Sequence, residues 1–483
     1  MTPGLRYIQS ITRRHFLSRS GFGLGSMALG SLLASHRSSA AVPASGAGPL
    51  VPKLPARKAK AKAVIHLGMS GGPPQHDLFD WKPKLVALDK QPCPAELLTG
   101  QRFAFIRGVP KLLGTPYQFA QHGHSGAWVS ELLPHFSKVV DEVAFIKAMH
   151  TNQFNHAPAE LLMHTGSAIH GHASIGSWVM YGLGSENQNL PGFVVLGDFP
   201  TGQGPWNSGF LPSINQGVRC RSGPEPVLYL SDPPGIARED RRRCIDTLRR
   251  LYDLELAEFG DPETVTRIAQ YELAFRMQMA APEVMDISRE TNDTLKLYGA
   301  EPGAVSFANN CLLARRLVER GVRYVQLFSG GWDMHGTVKG VDDLMEGLPK
   351  KCREIDQGMS ALLIDLKSRG LLEETLVVWG GEFGRTSMKE ERDGTALLGR
   401  DHHPLSFTIW MAGAGVKSGI TYGATDELGY FGVEDQMDVR DLHATLLHLL
   451  GFDPEAFSYL FQGLRHRLIG PAAGPRVHHF ILR

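Results

Sequence analysis

Cysteine is scarce. Five residues, Cys93, Cys220, Cys244, Cys311 and Cys352, are spread over 483 positions. Their number is odd and no Cys-x-x-Cys pair occurs, so a zinc knuckle is excluded and no dense disulfide framework is implied. Acidic residues are missing altogether before Asp77. A run of about 20 apolar residues, which a bilayer span needs, is also absent. The stretch from Gly21 to Ala34 is too short and too rich in glycine. No repeat of the solenoid kind is visible.

The remaining composition is that of an ordinary globular chain, with 20% charged and 42% hydrophobic residues. The length suits one α/β domain with a large insertion, or two domains. The first 40 residues have a different texture. Thr12-Arg13-Arg14-His15-Phe16-Leu17 has the form of a twin-arginine export signal, and Ser38-Ser39-Ala40-Ala41 offers a small-residue cleavage site. The expected organisation is therefore a signal at 1–40, a basic linker at 41–62 and a folded domain at 63–470. The expected location is periplasmic or extracellular, with the twin-arginine machinery as a partner. Removing residues 1–40 takes away five arginines, and the balance of 50 basic and 49 acidic residues becomes about −4. That charge argues against general nucleic-acid binding, which needs a basic footprint.

Six short apolar runs read as strands: 63–69, 143–148, 193–196, 322–327, 375–379 and 406–411. Helical patterns at 312–320 and 344–369 each precede a strand. The alternation predicts an α/β fold, a mainly parallel sheet sandwiched by helices. Between about 235 and 299 the chain is charged and strand-free. Ile245, Leu248, Tyr252, Leu256 and Phe259 recur at helical spacing there, which predicts an inserted helical subdomain or solvated helices over the sheet.

Ligand sites in open α/β sheets lie beyond the carboxyl ends of the strands. The residues following each strand are thus the candidates. Asp333 and His335 sit two apart in a glycine-rich loop. Glu382 and Arg385 follow the strand at 375–379. Asp401, His402 and His403 precede the one at 406–411. Carboxylates and imidazoles of this kind ligate divalent ions, and a guanidinium suits an oxyanion. After the first strand, Asp77 either completes the metal set or, like Asp80, caps a turn. After the second, Thr151, Asn155 and His156 flank an expected helix start at Pro158, where free backbone N–H groups can meet an anion.

These motifs resemble the alkaline phosphatase/sulfatase superfamily and, within it, the domain of unknown function 1501 family. The resemblance spans roughly residues 60 to 465. It is carried by Met69-Ser70-Gly71-Gly72-Pro73, Asn155-His156-Ala157-Pro158-Ala159, Gly176 to Gly184, Gly331-Trp332-Asp333-Met334-His335, Gly381-Glu382-Phe383-Gly384-Arg385-Thr386, Asp401-His402-His403 and the helix from Asp441. It implies hydrolysis of sulfate or phosphate esters, on small molecules or polysaccharides, with zinc, manganese or calcium as cofactor. Asp333 and His335 match the metal ligands, Glu382 a further acidic ligand, and Asp401, His402 and His403 the late ligand group. Sulfatases carry Cys or Ser before x-Pro-x-Arg. Here Pro158 and Thr165-Gly166 keep the spacing, but His156 takes the nucleophile position and Glu160 that of the arginine. Three alternatives follow: His156 as ligand or covalent nucleophile, Thr151 as attacking group, or a site that binds metal without turnover.

Overall fold

The computed structural model describes residues 49–197, 202, 204–223, 227, 232, 235–391, 396–471 and 474–483. The expected export signal lies outside them, as does the start of the expected linker.

Among the described residues nine strands form the main sheet: β1 Ala63–Met69, β2 Val143–His150, β3 Phe193–Leu196, β4 Val218–Cys220, β5 Tyr324–Ser329, β6 Thr375–Gly380, then, beyond two short strands met below, β9 Phe407–Ala412, β10 Ile420–Tyr422 and β11 Met437–Asp438. Their order is β10-β2-β9-β6-β1-β5-β3-β4, with β11 also paired to β2. Every pairing is parallel except those of β9, which runs antiparallel to both β2 and β6. The reversal has a geometric consequence. The carboxyl ends of β1, β2, β3, β5 and β6 share one edge of the sheet with the amino end of β9.

All seven residues of β1 are buried, the mark of a strand covered on both faces. Its residues alternate. Ile65, Leu67 and Met69 join one core cluster, while Val64 joins the other. The first cluster is packed by helices α6 Phe307–Glu319 and α7 Gly347–Ser368. The second is packed by α1 His156–Thr165, α2 Ile175–Leu183 and α8 Val439–Leu449. Each fully buried aliphatic side chain contributes about 1.5–3 kcal/mol. These two layers therefore fix the edge on which the polar loops converge.

Helices α3 Arg238–Phe259, α4 Pro262–Met285 and α5 Asn292–Tyr298 occupy the charged stretch. Gly260 in the left-handed region ends α3, and Asp261 caps α4 by accepting from Glu263 N–H. Arg242 clips the two together through Glu272. Arg316 of α6 donates to the carbonyls of Glu283 and Val284, anchoring the end of α4. Along α3 only Ile245 is fully buried, so most of its apolar stripe is only partly covered.

All five cysteines are free. Among the described residues no helix is long and apolar enough to cross a membrane.

Candidate metal centre

Four segments bring their polar groups to the shared edge. After β5, residues Trp332 and Met334 are buried in the first core cluster. The residues alternating with them, Asp333 and His335, face the opposite way. After β6, the two-residue strand β7 Gly384–Arg385 pairs antiparallel with β8 His402–His403, placing His402 opposite Arg385. After β2, helix α1 opens with His156.

The loop after β1 fits closely under this assembly. A side chain on Gly71 would place its Cβ 2.6 Å from the backbone nitrogen of Asp333, and its φ of +119° is one that glycine tolerates. Likewise a Cβ on Gly399 would lie 1.9 Å from the His335 carbonyl carbon. Glycine at both positions lets the loops touch.

Ligand-type atoms of His156, Asp333, His335 and His402 lie within 4.8 Å of one another. Asp333 Oδ1 is 2.7 Å from His335 Nε2, 3.2 Å from His156 Nε2 and 3.3 Å from His402 Nε2. The Nε2 atoms of His335 and His402 are 3.1 Å apart. Each ring is anchored from behind through Nδ1. That of His156 meets Glu382 Oε1 at 2.6 Å, that of His335 meets Glu390 Oε2 at 2.5 Å, and that of His402 meets the Phe154 carbonyl at 2.7 Å. Carboxylates and carbonyls only accept, so each Nδ1 carries the proton and each Nε2 lone pair faces inward. His156 Nε2 is buried with no hydrogen-bond partner among the described residues. Three inward lone pairs beside one carboxylate oxygen form a donor set for a cation.

The electrostatics agree. Burial works against ionisation of Asp333, but the Arg385 charge and the three imidazoles outweigh it and hold the carboxyl far below its usual range. Burial pulls His156 down, yet the carboxylates of Asp333 and Glu382 lift it to about 9. His335 is also raised, by Asp333 and Glu390 against the same burial. Burial dominates at His402 and lowers it to about 4. Without a cation, protons must stand in at this centre.

The structure redistributes several expected roles. Glu382 is not among the four inward donors. It orients His156 and accepts from Gly71 N–H at 3.0 Å. Arg385, with a side chain fully shielded from solvent, is not open to an oxyanion. Its guanidinium donates to the carbonyls of Gly71, Gly72 and Arg400 and to Asp333 Oδ1. Asp77 is held away from the centre in a bidentate pair with Arg400, at 2.8 and 3.1 Å, both side chains sealed from water. His403 follows His402 along a strand, so it points to the other face and bonds the Tyr430 carbonyl at 2.6 Å. Asp401 also has an oxygen within 4.8 Å of ligand-type atoms of His335 and Glu390. Its carboxylate is already engaged, Oδ2 accepting from the N–H groups of Phe105 and Ile106 and Oδ1 from that of His402. Thr151 N–H donates to the Pro404 carbonyl, and its hydroxyl accepts from Gln153 N–H. Asn155 stands at the N-cap of α1 without a side-chain capping bond. Neither contributes to the four donors. Glu390 lies in the charged run Lys389-Glu390-Glu391-Arg392-Asp393, where nothing in the spacing marks one acid over another. Only the fold shows it behind His335.

These features define an α/β protein with helices on both faces of a mainly parallel sheet and a candidate metal centre at its carboxyl edge. The sequence matches the family described as "Protein of unknown function (DUF1501)" over residues 61–481, and the chain belongs to that family. No curated protein matches it. Solved structures similar to it include a sulfatase from Pseudoalteromonas sp. (12% identity, covering 86% of this chain and 73% of that one, TM-score 0.34). Another is the lipoteichoic acid synthase LtaP from Listeria monocytogenes (9%, 86% and 75%, 0.35). A third is a TAB5 alkaline phosphatase mutant with Mg bound (10%, 83% and 99%, 0.33).

Proposed function

We propose that this chain is an exported, metal-dependent hydrolase of phosphate or sulfate esters. One observation carries the reading: three imidazoles, each pinned through Nδ1, aim Nε2 at the Asp333 carboxylate. His156, His335, His402 and Asp333 would hold a divalent ion. Three nitrogens and one oxygen suit zinc, manganese or another first-row ion, whereas calcium takes six to eight oxygens. When bound, the ion supplies Lewis-acid polarisation of a phosphoryl or sulfuryl oxygen. The protein's own groups keep the donors in place. Arg385 fixes Asp333, and Glu382 and Glu390 fix the tautomers of His156 and His335.

Purified protein is expected to release phosphate or sulfate from an aryl ester and to lose that activity on chelation or in the Asp333→Ala variant. A silent panel of esters with stoichiometric metal would instead support the second reading, a binding protein on the same fold. That reading is favoured by His156, which stands where sulfatases carry their nucleophile and is one of the four donors. Transfer of phosphate to an added alcohol rather than to water would mark a phosphotransferase or mutase.

Export is part of the proposal and rests on Thr12 to Leu17. Replacing Arg13 and Arg14 by lysine should retain the protein in the cytoplasm. Unchanged localisation of that variant would refute the twin-arginine route.

A further inference from the structure

The loop that leaves the metal centre after His335 turns apolar side chains to water. Val338 is 54% exposed, Val341 63% and Met345 52%, three large aliphatic residues within eight positions. None of them is a member of a core cluster or packs against one. Exposed apolar residues scattered singly need no explanation, but a group of them beside a site does.

The loop is held firmly in this shape. The Val338 carbonyl accepts from the N–H groups of Val341 and Asp342, both at 3.1 Å, so Val338 and Val341 stand one turn apart on the same side. Asp342 accepts from Thr337 N–H at 2.9 Å and from the Thr337 hydroxyl. Buried Asp343 accepts from the N–H groups of Met345 and Glu346 at 2.9 and 2.8 Å. Lys339 Nζ meets Glu346 Oε1 at 3.0 Å, which draws the Met345 turn beside the valine turn. Further bonds fasten the loop to the centre. Gly336, next to the donor His335, donates N–H to the Asp342 carbonyl at 2.7 Å. Leu344 N–H donates to the Leu398 carbonyl at 2.9 Å, beside the Gly399 that packs on His335. Val338 is three residues from His335, so their Cα atoms lie within about 11 Å. The polar groups of the loop thus fix its shape, and its aliphatic side chains are left beside the cation site.

We propose that Val338, Val341 and Met345 form a lip for the organic half of the ester, and that this half is a flexible alkyl chain. The inference rests on the hydrolase reading, since it assigns the neighbour of a headgroup bound at the four donors. These three side chains carry no group that can bond the hydroxyls of a sugar. A chain of methylene groups laid along them gains in proportion to the apolar surface it removes from water, and a single methyl group gains little.

The test compares two inert ligands with the same headgroup, octylphosphonate and methylphosphonate, titrated calorimetrically into the full chain loaded with zinc. Wild type is expected to bind the octyl compound at least about tenfold tighter. The triple variant Val338→Thr, Val341→Thr, Met345→Gln keeps side-chain size at exposed positions. It should bring the two ligands to within about threefold, chiefly by weakening the octyl compound, with zinc content unchanged. Leu254→Gln, at a leucine of α3 that is 69% exposed, controls for adsorption of the chain to any apolar surface and should leave the preference intact. A preference that survives the triple variant, or that Leu254→Gln abolishes as well, overturns the inference. So does octylphosphonate binding that is equally tight after zinc is stripped. Equal binding of both phosphonates by wild type sinks this inference alone. If neither phosphonate binds the zinc-loaded protein, the hydrolase reading fails and this inference with it.

Discussion

Arg385 and His402 face each other across an antiparallel ribbon two residues long, and both reach the same oxygen of Asp333. The pairing explains why a fully shielded arginine belongs to a cation site. Its positive charge keeps Asp333 ionised, and its remaining N–H groups bind the carbonyls of Gly71, Gly72 and Arg400, which belong to the neighbouring loops. A single side chain therefore gathers the loops after β1, β5 and β6 with the stretch before β9.

Replacing Arg385 by lysine should be costly despite the conserved charge. A lysine ammonium cannot reproduce the guanidinium fork, and at least one carbonyl or Asp333 would lose its donor. A buried carbonyl left without its donor costs about 1–3 kcal/mol. The Arg385→Lys variant is expected to lose stability of that order in urea melts and to bind metal more weakly. A variant as stable as wild type would show that the loops are gathered by other means.

Much of this arrangement was legible in the sequence, and the reasons are physical. Runs such as Val64 to Leu67 are buried on both faces, so their apolar continuity announces a covered parallel sheet. Asp333 and His335 are visible as candidates because polar groups after a buried strand stand out. What sequence could not supply was direction. Phe407 to Ala412 reads as a strand in either sense, and only pairing shows that its amino end joins the site. Nor does a residue's identity reveal its partner. Asp77 and Asp333 are both acids after strands, yet one is consumed by Arg400 and the other faces three histidines. Strands of two or three residues, such as Met437–Asp438, are too short to leave a periodic signal.

Asp77 offers a direct separation of scaffold from site. Its pair with Arg400 is sealed from water. Asp77→Ala should therefore destabilise the fold by about 3–5 kcal/mol through the uncompensated arginine. Folded protein recovered at low temperature should still carry its full complement of metal. Loss of metal from a variant of wild-type stability would return Asp77 to the ligand set.

Stability should also fall on mild acidification, for a reason remote from the metal. His66 on β1 and His443 on α8 are fully buried, and burial lowers each to about 4, with the charge of His443 adding to the effect at His66. Their other close groups are the Tyr324 hydroxyl, His164, the Met163 carbonyl and Arg440, whose charge also lowers His443. The unfolded chain takes up protons near pH 6.5, before the folded one does. The stabilisation is thus complete above pH 6.5 and erodes down to about pH 4, by at most about 1.4 kcal/mol per pH unit for each histidine. Urea midpoints measured between pH 7 and 4.5 should drop accordingly. His443→Gln, which keeps a donor for the Met163 carbonyl, should make that drop shallower, and an unchanged slope would rule His443 out as a contributor.

The acids behind the rings should matter nearly as much as the rings themselves. Glu390 fixes the tautomer of His335, as Glu382 fixes that of His156. Replacing either by glutamine keeps the size but permits the amide to present N–H instead of an acceptor, and weakens the imidazole as a donor to the ion. Loss of such a partner typically lowers metal affinity about 10- to 100-fold. A metal that binds only the folded state raises stability in proportion to the logarithm of its concentration over its dissociation constant. Thermal melts of wild type, Glu382→Gln and Glu390→Gln across a zinc titration should therefore show parallel rises displaced to higher zinc in the variants. The variant apoproteins should melt somewhat lower than wild type, because Glu382 and Glu390 raise His156 and His335 and so stabilise their protonated forms. Each titration is read against its own metal-free melt. Coincident titrations would mean that the three imidazoles do not share an ion, and the hydrolase reading would lose its foundation.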